Sequence, residues 1–283
     1  MSRGGGAVLE YLRGAIAGIA AQGGHASARA PLLLPLTRAL DAALGGGLAG
    51  DGLHEIAPAQ AGDGAAAFGF ALALAARFLA AAPPRANALI ICDDFCARET
   101  GALYGPGLAA LGLAMERLVI VRAPDAPALL WAMEEALKSG APAFVIGELW
   151  GGARHYGLTA SRRLLLAARS GRAPALLVHG GAFGRADDLS SAADTRFEIA
   201  YAPSAHVESA GGRLPLPGSP AFAARLLKAR LRPGAQAPPE NFDETKIIRL
   251  EWNSAERGFF DPTISLPVVR EAADGPGACA AAR

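Results

Sequence analysis

The sequence predicts an α/β protein in which a mainly parallel β-sheet lies between helices, with antiparallel strands added near the C-terminus. From residue 88 to residue 180, apolar runs of strand length alternate with helical segments. Parallel strands covered on both faces have nearly uninterrupted apolar sequences, because neither face meets water. After Gly180 the strand-like segments follow one another without long helices between them, which favours antiparallel pairing.

Each element of the alternating region has a recognisable beginning or end. We expect Asp125 to cap the helix after the second run and Gly140 to end it, because aspartate accepts bonds from free helix N–H groups and glycine readily turns left-handed. Thr159 is expected to cap the next helix and Gly171 to end it. The predicted parallel strands are ALIICDD (88–94), LVIVRAP (118–124), PAFVIGEL (142–149) and PALLVHG (174–180). The predicted antiparallel strands are TRFEIAYAP (195–203), RLLKARL (225–231) and IIRLEW (247–252).

Small-residue and polar segments divide the chain into four predicted parts. These are an N-terminal helix over residues 1–24, a core over 25–231, a connector with a C-terminal strand segment over 232–270, and a flexible tail over 271–283. The connector is rich in proline and polar residues, which favours an extended, exposed chain. Such a connector is compatible with a semi-detached C-terminal strand; the alternative is an edge strand fixed to the core.

The composition is that of a globular protein with one large core. The chain has 283 residues, 52% of them apolar, and a formal net charge of +1. These values exclude a disordered chain and a highly charged nucleic-acid coat. Cys92, Cys96 and Cys279 complete no zinc pattern with a nearby histidine, so the sequence predicts thiols in a reducing compartment and no metal site.

The sequence also predicts a soluble, cytoplasmic protein that does not enter a membrane. Glu10 and Arg13 interrupt the apolar run that a signal peptide would need. The apolar run from Gly64 is expected to stop at Arg77, too early to span a hydrocarbon core of about 30 Å.

A strand, a small-residue loop and a long apolar helix occupy residues 53–82, which is the arrangement of a phosphate-binding P-loop. Such a loop needs a lysine for the β- and γ-phosphates and a serine or threonine for Mg²⁺. If the loop starts at Pro58, these positions fall on Gly64 and Ala65. No lysine precedes Lys138, and Asp63 places a carboxylate where phosphate would lie. We therefore expect neither ATP nor Mg²⁺ as a cofactor.

The acidic residues of a nucleotide site are also displaced. PAFVIGEL puts Gly147 where the usual strand-end aspartate would fall, and Glu148 comes one place later. Asp93 and Asp94 end the strand ALIICDD; in an active ATPase one of them could orient water, whereas the plainer interpretation is helix capping or solvation. The predicted degenerate nucleotide site comprises Pro58, Gly62, Asp63, Gly64, Ala65, Asp94, Gly147 and Glu148.

Two further groups of polar residues leave alternatives open. His179 ends a sheet strand, where it would either face a ligand crevice beside Asp93, as in an unrelated α/β enzyme, or be a buried core histidine. A basic cluster around the loop after PAFVIGEL predicts either phosphate contacts to DNA or a solvated helix face. Its members are Arg154, His155, Arg162 and Arg163.

Aromatic residues concentrate near the C-terminus, in a chain otherwise poor in them. Trp252, Phe259 and Phe260 lie within ten residues, flanked by Arg249 and Arg257. Because tryptophan, phenylalanine and arginine are enriched at interfaces, the segment predicts a partner contact. The alternative is that Trp252 fixes an edge strand to the core.

The order of these parts resembles the RecA family, over roughly residues 7–205. LTRALDAALGGGLAGDGLHEI (36–56) is similar to the segment that leads into the RecA core, and the P-loop position and later strands follow in RecA order. The chain resembles more closely the ImuA family, the RecA-like members of bacterial damage-inducible mutagenesis cassettes. The glycine cluster running into GLHEI and the degenerate P-loop carry that resemblance.

The resemblance implies a RecA-like core with a role in the DNA-damage (SOS) response. It implies a non-catalytic accessory protein of translesion synthesis that binds an ImuB-type Y-family polymerase homologue and, indirectly, an error-prone replicative-type polymerase. RecA and single-stranded DNA are further candidate partners. The chain departs from RecA in short loops after Trp150 and Gly180, and in His179-Gly180 replacing an Asn-Gln pair. A DNA-dependent ATPase of RecA type is the alternative.

Overall fold

The structure, a computed structural model, describes residues 32–150, 155–181, 190–204, 206–207, 216–232 and 245–261. Several predictions fall outside these residues: the N-terminal helix (1–24), Arg154, Cys279, most of the connector, and the tail (271–283). The described strands are β1 (Leu33–Leu34), β2 (Leu48–Ala49), β3 (Leu53–Pro58), β4 (Ala88–Asp93), β5 (Leu118–Ala123), β6 (Val145–Trp150), β7 (Ala175–Gly180), β8 (Thr195–Tyr201), β9 (His206–Val207), β10 (Leu216–Pro217), β11 (Ala221–Ala229), β12 (Ile247–Asn253) and β13 (Gly258–Phe260). The described helices are α1 (Arg38–Leu44), α2 (Gly64–Ala81), α3 (Asp94–Glu99), α4 (Gly105–Ala110), α5 (Ala126–Lys138) and α6 (Leu158–Gly171).

One nine-stranded sheet organises the fold, in the order β13-β12-β11-β8-β3-β7-β6-β4-β5. The strands from β8 to β5 pair in parallel, and β11, β12 and β13 extend the sheet by antiparallel pairing. The predicted α/β class, with a mainly parallel sheet and antiparallel C-terminal strands, is confirmed. The P-loop-like unit β3–α2 starts in the interior of this sheet, between β7 and β8.

Alternate residues of the strands enter two separate apolar cores, one on each face of the sheet. In β6, Ile146 joins the core that contains α2, whereas Val145 joins the core of α5 and α6. This follows from the strand period of two, which sends successive side chains to opposite faces. At the outer strand β5 the cover is incomplete, since Val119 and Ile120 are 43% and 49% exposed.

The direction of β8 differs from the expectation. TRFEIAYAP was assigned to the antiparallel group, yet β8 runs parallel to β3 and antiparallel only to β11. The apolar pattern of a strand fixes which face is buried, but it carries no information about the direction of the neighbouring strand.

The glycine cluster before β3 has a steric reason: a Cβ on Gly47, whose φ is +131°, would lie 2.5 Å from the carbonyl oxygen of Leu34.

Most helix signals are confirmed, and one is wrong. The Asp125 side chain accepts a hydrogen bond from Ala128 N at 2.9 Å, and Gly140 takes a left-handed φ of 64° after α5. Thr159 is not a cap, because α6 begins at Leu158 with Gly157 before it. Helix α2 ends at Ala81, before Pro83-Pro84 and close to the predicted end at Ala82. Arg77 lies inside this helix and donates to the carbonyl oxygen of Arg257.

Helix α2, together with the turn at residues 61–63 before it, is long and apolar enough to cross a membrane by length and composition. Among the described residues it is the one helix of which this holds. Here it packs on the sheet, with Phe70, Leu74 and Phe78 buried in the core. A core helix of a folded protein meets the same criterion, so the composition of α2 is explained by its packing.

The C-terminal strands are part of the main sheet and are not a semi-detached element. Trp252 is buried, its Nε1 donates to the carbonyl oxygen of Leu111 at 3.2 Å, and its ring centroid lies 5.0 Å from that of Phe259. Phe259 in turn packs against Phe70 of α2. Trp252 therefore fixes the outer strands to the core, which is the alternative interpretation of the aromatic segment.

Truncating Trp252 should destabilise the whole fold. We expect Trp252→Ala to lower the free energy of unfolding by about 3 kcal/mol or more, because it leaves a cavity beside Phe259 and Leu111. Phe260→Ala is the matched control, since that ring is 43% exposed and should cost much less. Urea denaturation followed by circular dichroism measures both; equal losses would contradict the burial of Trp252.

Candidate functional site

The strand–loop–helix unit predicted from the sequence is present, but its loop is bonded to the protein. Ala59 N donates to the carbonyl oxygen of Ile199 at 2.9 Å, and Asp63 N donates to that of Gln60 at 3.0 Å. Pro58, the last residue of β3, has no backbone N–H. A phosphate-binding loop instead turns its N–H groups toward the ligand. In this loop the N–H groups of Ala59 and Asp63 already donate to carbonyl oxygens of the protein, so they are not free to bind a phosphate.

Asp63 is buried at the beginning of α2. Its Oδ1 accepts a hydrogen bond from Tyr201 N at 3.1 Å, and its buried Oδ2 has no hydrogen-bond partner within the described structure. The N-terminus of a helix carries partial positive charge and is where phosphates bind. The Asp63 carboxylate occupies that position, so it opposes an anionic ligand.

The two glycines of the loop have no packing role that demands glycine. A Cβ built on Gly62 or on Gly64 would meet no atom within 4 Å. Ala65, at the expected hydroxyl position, is exposed on the first turn of α2. The loop therefore has room but offers neither a lysine nor a hydroxyl group.

Strand β6 places its acid on the face of the sheet that carries α2. A Cβ on Gly147 would lie 2.3 Å from Met133 Sδ, because Gly147 faces α5 and its neighbours pack tightly against the backbone. An aspartate cannot fit there. Glu148 points to the opposite face, so the displacement by one residue in the sequence moves the carboxylate to the side of the loop.

The Glu148 carboxyl group is buried and forms no ion pair among the described residues. Burial raises the pKa of Glu148 to about 7, and the nearby Asp93 also raises it, while hydrogen bonds from Cys92 and Thr100 act in the opposite direction. Burial likewise raises the pKa of Cys92 to about 12 and that of Cys96 further. Both thiols are therefore neutral, as expected for buried cysteines.

The two acids at the end of β4 have structural partners. Asp93 caps α3, accepting from Cys96 N at 2.6 Å, and its Oδ2 accepts from Trp150 N at 3.1 Å. Asp94 forms an exposed ion pair with Arg122 at 2.8 Å. This is the capping and solvated arrangement that the sequence favoured over a water-orienting role.

A cavity of about 650 Å³ brings part of the predicted site together. We call it the Glu148 cavity, since that carboxyl lies in its wall. Gly64, Ala65 and Glu148 were predicted from the sequence, whereas Thr100, Tyr104 and Arg122 were not, because nothing in their local sequence marks them. The lining residues are Gly64, Ala65, Phe68, Gly69, Leu72, Cys92, Ala97, Thr100, Gly101, Ala102, Leu103, Tyr104, Gly107, Leu108, Leu111, Ile120, Arg122 and Glu148.

A buried polar network lies on the other face of the sheet. Arg196 Nε donates to Glu55 Oε2 at 2.7 Å, and the Tyr156 hydroxyl donates to Glu55 Oε1. The ring of His179 lies 5.0 Å from that of Tyr156, and burial lowers the pKa of His179 to about 4. Sequence reasoning missed Glu55 and Arg196, because nothing in the local sequence marks these two distant residues as a pair.

His179 and Asp93 do not form the edge that an unrelated enzyme would need. Leu149 pairs with His179 across β6 and β7, and Cys92 pairs with Glu148 across β4 and β6, so β6 separates the two side chains. Two strand spacings amount to about 10 Å, beyond hydrogen-bonding distance. His179 is the buried core histidine of the two interpretations.

The predicted basic cluster is only partly available for contact. His155 and Arg162 are exposed, whereas Arg163 forms an ion pair with the nearly buried Glu134 at 2.6 Å. Partial burial acts to raise the pKa of Glu134, but hydrogen bonds from Lys138 and Arg163 lower it overall. Within the described residues Arg162 makes no ion pair.

Comparison with known proteins leaves the family open. No family model matches the chain, and no curated protein matches it. Among solved structures the chain is similar to SulA from Pseudomonas aeruginosa, at 23% identity and a TM-score of 0.35, over 45% of this chain and 96% of that one. A similarity of this extent carries no argument about function. Fold and site define an α/β protein whose P-loop position carries a carboxylate in place of phosphate-binding groups.

Removing the buried carboxylate of Glu55 should destabilise the protein strongly. We expect Glu55→Gln to cost about 3 kcal/mol or more, because it removes the negative charge from a buried ion pair with Arg196. Glu198→Gln is the matched control: its partner Arg225 is partly exposed, and the loss should be about 1 kcal/mol. Chemical denaturation compares them, and similar losses would exclude a special role for Glu55.

Proposed function

We propose that this protein is a RecA-like accessory protein of the ImuA type, acting in damage-induced translesion DNA synthesis without hydrolysing ATP. The observation that carries the proposal is the Asp63 carboxylate, buried at the beginning of α2 with its loop bonded to β8. The strand–loop–helix unit keeps the shape of a nucleotide site. The negative charge of Asp63 would repel a phosphate at this place. This supports a protein that acts by binding partners on its surface and does not act by hydrolysing ATP.

The proposed partners are an ImuB-type Y-family polymerase homologue and, through it, an error-prone replicative-type polymerase. RecA and single-stranded DNA are secondary candidates, and the proposed compartment is the cytoplasm. The burial of Trp252 and Phe259 removes them from the candidate partner surface. What is left is an exposed group at the outer strands, made of Arg249, Arg257 and Phe260.

The first test is ATP binding. Isothermal titration of the purified protein with ATP and Mg²⁺ should give no saturable binding up to about 1 mM, because no cation neutralises the β- and γ-phosphates. ATP hydrolysis should stay at background with or without single-stranded DNA. Micromolar, Mg²⁺-dependent binding would overturn the proposal in favour of the RecA-type ATPase.

The second test is capture of the purified ImuB-type partner. Phe260→Asp should weaken binding at least tenfold, because exposed aromatic side chains often dominate interface energies. Trp131→Asp is the matched control, since Trp131 is also exposed, at 64%, but lies on α5. Equal capture by wild type and Phe260→Asp would place the contact elsewhere, and no capture at all by the wild type would remove the proposed partner.

The third test concerns single-stranded DNA. Binding should be weak and should fall with salt, and Arg162→Ala should reduce the slope of log affinity against log salt by about 0.7, the value for one phosphate contact to a single strand. Arg163→Ala is the control and should change the slope less, because Glu134 already pairs with that guanidinium. An unchanged slope for Arg162→Ala would exclude this arginine from the DNA contact.

A further inference from the structure

We propose that the Glu148 cavity binds a small hydrophobic cation, such as an arylalkyl amine, whose ammonium group pairs with the Glu148 carboxylate. This goes beyond the proposed function and does not depend on it. It adds a small-molecule site to a protein whose proposed role is that of a scaffold.

The size and lining of the cavity suit a ligand of this kind. Its volume of about 650 Å³ lies within the range of small-molecule sites, about 300–1,000 Å³. Phe68 and Leu72 of α2, with Leu103, Leu108 and Leu111, give it a largely apolar wall. Such a wall would bury a bicyclic aromatic ring and gain free energy from the area removed from water.

The polar groups of the cavity favour a positive charge. Glu148 is nearly buried in the wall and has no ion-pair partner among the described residues. Arg122 also lines the cavity, but its guanidinium pairs with Asp94 at 2.8 Å. An ammonium group would supply the missing counter-charge, which is what a buried carboxylate needs.

The other groups near Glu148 reinforce this choice of charge. From β4, Asp93 adds a negative charge and Cys92 a neutral thiol, while Cys96 of α3 is neutral as well. Thr100 contributes a hydroxyl group, and α2 presents no titratable side chain to the cavity. The positive end of the α2 dipole meets the Asp63 carboxylate, so it is partly neutralised.

The mouth of the cavity gives access from solvent. Tyr104 is 72% exposed, and Gly101 and Ala65 beside it are also exposed and small. The Tyr104 ring offers an additional face for a cation or for an aromatic body. A nucleotide fits this site poorly, because its phosphates would meet Glu148 and Asp93.

Binding of such a cation should depend on pH. Burial raises the pKa of Glu148 to about 7, so the carboxyl is mostly neutral at pH 6 and mostly ionised at pH 8. An arylalkyl amine is protonated at both values, so its affinity should rise between them. Linkage limits the gain to about tenfold for one group titrating in this window.

The experiment compares three probes of the same shape and different charge: 2-naphthylmethylamine, 2-naphthylmethanol and 2-naphthoate. Saturation-transfer NMR and isothermal titration on the full chain measure their affinities at pH 6 and pH 8. We expect the amine to bind at pH 8 at least tenfold more tightly than the alcohol, and the naphthoate not to bind. ATP should not displace the amine, which keeps this result separate from the test of the proposed function.

Two variants locate the site. Glu148→Gln keeps the shape of the side chain and should abolish the preference for the amine and its pH dependence, while the alcohol binds as before. Ala65→Trp, an exposed substitution at the mouth, should weaken all binding without changing the melting temperature. Equal affinities for amine and alcohol, an amine affinity weaker than about 10 mM, or full binding by Glu148→Gln would each overturn the proposal.

Discussion

The buried ion pair between Glu55 and Arg196 links β3 and β8, two neighbouring parallel strands at the centre of the sheet. Glu55 lies in β3, the strand that leads into the P-loop-like turn, and Arg196 lies in β8, from which the antiparallel strands extend. Both side chains are buried, and each places a charge of opposite sign beside the other. Tyr156 adds the segment before α6 to the same carboxylate. The position of the loop after β3 relative to β8 follows from this arrangement.

The loop region also contains buried carboxylates, but here they are not paired with a cation among the described residues. Asp63 and Glu148 are buried carboxylates without a cation beside them in the described residues, at the place where a nucleotide site would concentrate positive charge. The hydrogen bond from Tyr201 N and the α2 dipole stabilise the Asp63 carboxylate. Burial without a cation raises the pKa of Glu148 to about 7. Under the proposed function and the proposed ligand, the loop keeps the shape of a nucleotide site while its buried carboxylates favour cations over anions.

The outer strands offer a different kind of surface. At one edge of the sheet β13 carries the exposed Phe260, and at the other β5 exposes Val119 and Ile120. Exposed strand edges and apolar side chains are common features of surfaces that bind other chains. Trp252 and Phe259 contribute indirectly, because they fix β12 and β13 to α2 and keep the edge rigid.

By itself the sequence determined the class of fold, most element boundaries and the missing phosphate chemistry, because apolar periodicity, caps and the absence of lysine are local properties. It placed Asp63, Gly64, Ala65 and Glu148 near one site. Only the tertiary structure decided the direction of β8, the burial of Trp252, the separation of Asp93 from His179, and the pairing of Glu55 with Arg196. Each of these depends on which distant segments become neighbours, and strand pairing across the sheet sets those contacts.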